Sequence, residues 1–76
     1  MKYTFEESDI KNGLTFIYGK EEVLYLLVSA QDHIQKYIIF DINNNIVYDK
    51  LRVKELLVWI NGSKSVPVIT QTNIIG

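Results

Sequence analysis

Apolar positions along this chain come in short blocks, and two spacings alternate. Val53, Leu56, Leu57 and Ile60 recur at helical spacing. They predict a helix over residues 50–60, with Asp49 as its N-cap and Asn61-Gly62 ending it in a left-handed turn. Residues 14–18 (LTFIY) follow the Asn12-Gly13 turn signal and combine β-branched and aromatic residues, which predicts a strand ended by Gly19. Residues 37–42 (YIIFDI) read as a buried strand, and Asn43-Asn44-Asn45 as a turn. Residues 46–48 read as a short extra strand or as part of the connection. Residues 66–70 predict a strand, and Ile74-Ile75 begins another, too near for anything but an antiparallel hairpin.

Residues 21–35 carry two patterns at once. Val23, Leu24, Leu27, Ala30 and Ile34 fit a helix whose first turn holds Glu21 and Glu22, favourable at the positive end of a helix dipole. The unbroken run 23–28 equally fits a strand buried on both faces. Ala30, Gln31 and the leucines tip the expectation to helix, across 22 to about 31. The predicted order is then strand, helix, strand, helix, strand, strand. A strand–helix–strand unit implies a parallel pair joined by a right-handed crossover. The strand reading of 22–29 would instead make an antiparallel α+β domain.

Seventy-six residues, 47% hydrophobic and 22% charged, allow one globular domain with a modest core, residues 1–76, with 1–12 as an N-terminal extension. Tyr3 and Phe5 alternate with polar neighbours there. The beginning, MKYTFEESDI, lacks the apolar stretch of a signal peptide, and no apolar run is long enough to span a bilayer, so a cytoplasmic protein with no membrane partner is expected. A net charge of -1 and a single Arg argue against phosphate-driven nucleic-acid binding. Richness in Ile, Asn, Lys and Tyr fits an AT-rich genome, as in a phage, virus or low-GC bacterium.

Several local runs resemble one family. SKSVPVITQTNIIG is similar to the Thr-Val-Pro strand, hairpin and closing Gly of glutaredoxins. LTFIYGK resembles their first strand with its Tyr-x-Lys, and YIIFDI their second strand. The resemblance implies an α/β thioredoxin-like fold: a mixed four-stranded sheet with two flanking helices. The family's final helix is missing after Gly76, which would leave part of one sheet face open for Tyr3, Phe5 and Ile10, or for a second chain, to cover. It also implies a cis bond before Pro67 and a groove formed by Val23, Leu26, Ser65, Val66 and Pro67. Lys20 matches the family's glutathione-carboxylate lysine, although Glu21 and Glu22 beside it would repel an anionic tripeptide.

The family's chemistry is thiol chemistry, and this chain has no cysteine. Val23 and Leu26 stand where the two thiols would be, so disulfide exchange has no nucleophile. His33, the only histidine, makes a poor metal set alone. Asp41 and Asp49 fit strand-end and capping roles better than a catalytic pair. No phosphate loop, nucleophile elbow or triad spacing occurs. The expectation is a non-catalytic, cofactor-free module that binds another protein or a second copy of itself, with a redox-inactive glutathione or small-ligand domain as the alternative.

Overall fold

The computed structural model describes residues 3–68. Five strands are present: β1 (Thr15–Tyr18), β2 (Val23–Ser29), β3 (Tyr37–Asp41), β4 (Ile46–Leu51) and β5 (Ser65–Pro67). They form one sheet in the order β4-β3-β2-β1-β5, and every neighbouring pair is antiparallel. One α-helix, α1 (Val53–Asn61), and one turn of 3-10 helix (Glu7–Asp9) complete the described elements. The expected second strand of the terminal hairpin, at Ile74-Ile75, lies outside the described residues.

This architecture overturns the thioredoxin-like expectation. Among the described residues there is no parallel pair and no crossover; the sheet is the antiparallel α+β alternative. The deciding segment is 21–35. The helix expected there is strand β2, and the remainder is a loop leading into β3. Gly19 at φ +78 and Glu22 at φ +54 fold residues 19–22 into a four-residue connection, closed by the Glu22 N–H donating to the Gly19 carbonyl at 3.1 Å. That connection sets Tyr18 opposite Val23 and commits the apolar run to the centre of the sheet. A central strand with apolar residues on both faces produces the unbroken run that periodicity alone cannot distinguish from a helix.

The helix expected over 50–60 begins three residues later. Asp49 lies in β4 and is not the cap; Arg52 is the N-cap residue, and its N–H donates to the Glu55 carboxylate at 3.3 Å. At the other end Gly62 sits at φ -75, ψ -7, right-handed rather than left-handed. The glycine is needed for space: a Cβ there would lie 3.0 Å from the Val58 carbonyl oxygen.

α1 packs across one face of the sheet. Phe16, Leu27 and Ile39 point into that face, Leu56 and Ile60 meet them from the helix, and all five are fully buried. Each such side chain contributes roughly 1.5–3 kcal/mol by leaving water. The N-terminal segment joins the same layer, with Phe5 and Ile10 in the core. They thus fill the helix side of the sheet, and they do not cover the opposite face.

A bulge in β4 completes this layer. Ile39 pairs with Asp49 and Phe40 with Val47, leaving Tyr48 as the extra residue. The ring of Tyr48 lies 5.4 Å from Tyr25 and 5.5 Å from Trp59, on the helix side. Strict alternation would turn Leu51 to the opposite face from Tyr48. The inserted residue returns Leu51 to the helix side, opposite Tyr37 and against the core.

Candidate functional site

The two faces of the sheet are unequal. Facing the helix are Phe16, Tyr25, Leu27 and Ile39, all buried. On the other face the register aligns Ile17 with Leu24 and with Val66, Leu26 with Phe40, and Val28 with Ile38, and places Val47 beside Phe40. These side chains form a continuous apolar surface across all five strands. Within the strands Thr15, and Lys50 opposite Ile38, interrupt it, and Glu22 and Lys64 line a hollow with Ile17 and Val66 at its margin. No described element packs on it. Its outer members Val28, Val47 and Val66 are 37%, 59% and 42% exposed and its central members are half-buried, whereas Phe16, Leu27 and Ile39 at the centre of the helix side are at 0%.

The expected groove residues do not converge. Lys20 and Val23 line an open depression of about 330 Å³ at the β1–β2 turn, with Tyr18, Glu21, Tyr25 and Ser63. Ser65 and Val66 line a separate, smaller hollow of about 60 Å³ with Ile17, Gly19, Glu22 and Lys64. Leu26 belongs to neither and sits mid-sheet on the open face. Lys20 lies in a tight turn rather than before a helix, so the geometry that would set it against a glutathione carboxylate is absent.

Pro67 is trans, since the described residues contain no cis peptide bond. The reason lies in the ladder. The Val68 N–H donates to the Thr15 carbonyl and the Gly19 N–H to the Lys64 carbonyl, at 2.8 and 2.7 Å. Residues 64, 66 and 68 therefore turn their backbone groups toward β1, while 65 and 67 turn theirs to the side away from β1. A proline at 67 forfeits no ladder bond and needs no special loop.

Four aromatic rings cluster on the helix side. Trp59 stacks on Tyr18 at 4.1 Å and 16°, stands over Tyr25 at 5.5 Å, and lies nearly parallel to Tyr48 at 5.5 Å. The indole thus fills the slot between the tyrosines, so the cluster is packed by the chain itself. Burial raises the Tyr25 pKa above its ordinary value, helped by Tyr48 and by Asp41 directly opposite on β3.

The ionisable residues are spent on loops. Asp41 is buried, and its carboxylate accepts the Asn44 N–H at 3.1 Å and the Asn44 side-chain amide at 2.8 Å, which closes the β3–β4 turn. Asp32 accepts the Lys36 N–H at 3.1 Å; this bond, together with Lys50 at 3.8 Å, holds its pKa below the ordinary carboxylate value. It borders a polar hollow of about 450 Å³ with Ser29, Gln31, Gln35, Tyr37 and Val53. His33 is exposed in the same loop. Among the described residues no three His, Asp or Glu side chains come together as a metal site, and no helix is long and apolar enough to cross a membrane.

No family model, no curated protein and no solved structure matches this chain. The open face was the feature hardest to find in the sequence. Its signal was the absence of polar alternation in residues 23–28 and 38–40, which requires burial on both sides of a strand.

Proposed function

We propose that this domain is a non-catalytic protein-interaction module whose contact surface is the open face of its sheet. The apolar surface formed by Ile17, Leu24, Leu26, Ile38 and Phe40, on which no described element packs, carries this reading. Contiguous apolar patches rimmed by polar residues mark interaction sites in soluble proteins. The ionisable groups support it from the other side, because Asp41 and Asp32 are engaged in shaping turns. The alternative of a glutathione-binding domain drew its support from a thioredoxin-type topology, and the antiparallel sheet removes that support.

The reading is tested with a hydrophobic fluorescent dye at low protein concentration. The folded domain is expected to bind the dye, and Leu26→Gln with Phe40→Gln is expected to abolish binding while the signal of the Trp59 cluster is unchanged. A folded wild-type domain that binds no dye at any concentration would overturn the assignment.

A further inference from the structure

We infer that the side chain of Asp49 is a lock on the β4 edge of the sheet, and that removing its oxygen lets β4 pair with β4 of a second copy of this chain.

The ladder shows which backbone groups face that edge. The Ile42 N–H donates to the Leu24 carbonyl at 3.2 Å, and the Ala30 N–H to the Lys36 carbonyl at 3.0 Å. Even-numbered residues along β3 therefore bond toward β2, and Tyr37, Ile39 and Asp41 bond toward β4. The Asn45 N–H, which donates to the Asp41 carbonyl at 2.8 Å, follows the same rule. Their partners Leu51, Asp49 and Ile46 are thus turned inward. Val47 and Lys50, opposite Phe40 and Ile38, turn their N–H and C=O groups outward. Among the described residues β4 is an outer strand, so no neighbouring ladder receives these groups.

The outward donor of Lys50 is already taken. Its N–H donates to Asp49 Oδ1 at 2.7 Å, within the same strand. A strand approaching from outside would bring a carbonyl oxygen to that N–H and would meet a carboxylate oxygen there, acceptor against acceptor. The Lys50 ammonium is drawn to Asp32, at 3.8 Å, which leaves the Asp49 carboxylate as the charged group acting on the edge backbone.

The side chains show what is held back. Ile46, Val47 and Tyr48 are each more than half exposed. A β-branched and aromatic run on an outer strand is the pattern that recruits another strand, and a charge at its end is the usual guard.

The bulge selects the occupant. It sets the outward groups at positions 47 and 50, whereas a regular strand offers them at every second residue and falls out of step. A second β4 running antiparallel has the same interval. It sets Val47 against Lys50 of the other copy and Lys50 against Val47, about a two-fold axis.

The test is amide hydrogen exchange with sedimentation equilibrium over a concentration series, on the full chain. Asp49 is exposed, and Asp49→Ala is expected to keep the near-ultraviolet spectrum of the Trp59 cluster. It is expected to speed exchange of the Lys50 amide in the dilute protein by about tenfold, as the loss of one hydrogen bond does. It is also expected to associate at about a tenfold lower concentration than wild type, with the Val47 amide gaining protection as it does so. Asp49→Asn keeps the acceptor oxygen and is expected to match wild type in both measurements. Should the alanine variant fail to fold, Asp49→Val lacks the acceptor equally and suits a strand. Unchanged Lys50 exchange without the acceptor would overturn the lock. Faster exchange with no gain in association would overturn it too. Association that leaves the Val47 amide unprotected would place the contact elsewhere and overturn the pairing of β4 with β4. An asparagine variant that behaves like the alanine one would show that the Oδ1 bond is not what closes the edge.

Discussion

The carboxamide of Asn61 engages the backbone of Phe5 in both directions. The Phe5 N–H donates to Asn61 Oδ1 at 2.8 Å, and Asn61 Nδ2 donates to the Phe5 carbonyl at 3.0 Å. The side chain takes the part of a neighbouring strand. It fixes the N-terminal segment to the end of α1 and holds the Phe5 ring, 2% exposed, against Phe16 at 6.1 Å.

Asn61→Ala leaves both Phe5 groups without their partner and is expected to cost about 1–3 kcal/mol. For a domain of this size the melting temperature falls by about 4–8 °C per kcal/mol. Asn61→Asp keeps the acceptor but turns a carboxylate toward the Phe5 carbonyl, so it is expected to destabilise also. Thermal denaturation followed by circular dichroism checks both. Unchanged melting in Asn61→Ala would show that the N-terminal segment is held by its rings alone.

That clamp shows where the sequence stops being legible. Its partners are 56 positions apart, and nothing in the local pattern of either announces the other. The helix Val53–Asn61 was legible because its stripe of Val53, Leu56, Leu57 and Ile60 has a single reading. β1 and β3 were legible because β-branched and aromatic residues fill them between turn signals. β2 was not, because a strand apolar on both faces loses the alternation that identifies strands. Gly19 was the available signal, since a glycine-initiated connection of four residues from Tyr18 to Val23 suits a hairpin. The bulge at Tyr48 was beyond sequence reading, because alternation assigns Tyr48 and Leu51 to opposite faces.

Trp59 anchors the aromatic cluster. A 76-residue domain is stable by roughly 4–11 kcal/mol. Trp59→Ala is expected to cost about 3–5 kcal/mol, a large part of that total. Trp59→Phe keeps a ring between Tyr18 and Tyr48 and is expected to cost clearly less. Urea denaturation of the two variants should rank them in that order. Equal midpoints would mean that the stack is not a source of stability.

Stability is expected to decline in alkali through Tyr25. Its pKa in the folded protein is raised, by burial first and then by Tyr48 and Asp41, above the ordinary tyrosine value of about 10. Above the unfolded pKa the unfolded chain therefore releases this proton before the folded one does. The contribution is complete below about pH 10 and lost as pH climbs through the folded pKa. Tyr25→Phe removes the ionisation while keeping the ring against Phe16 and Trp59. Its stability is expected to fall less steeply than wild type between pH 10 and 12, measured by urea midpoints. Parallel slopes would assign the alkaline loss to other groups.

Pro67→Ala separates the observed geometry from the one the glutaredoxin resemblance implied. With a cis bond, replacement by Ala would force a costly cis peptide or a rebuilt loop, at about 3 kcal/mol. Here the bond is trans and the residue pairs with Phe16 at an outward-facing position. The native backbone is open to alanine, so the change is expected to cost less than about 1 kcal/mol, mostly through the greater freedom of the unfolded chain. Its other consequence lies at the sheet edge. Alanine restores an N–H donor to the outer side of β5 and removes the block to edge pairing. The variant is therefore expected to melt within a few degrees of wild type yet aggregate faster on prolonged incubation, followed by light scattering. A melting temperature lowered by 10 °C or more would show that Pro67 holds a conformation alanine cannot adopt, against the extended trans strand described above.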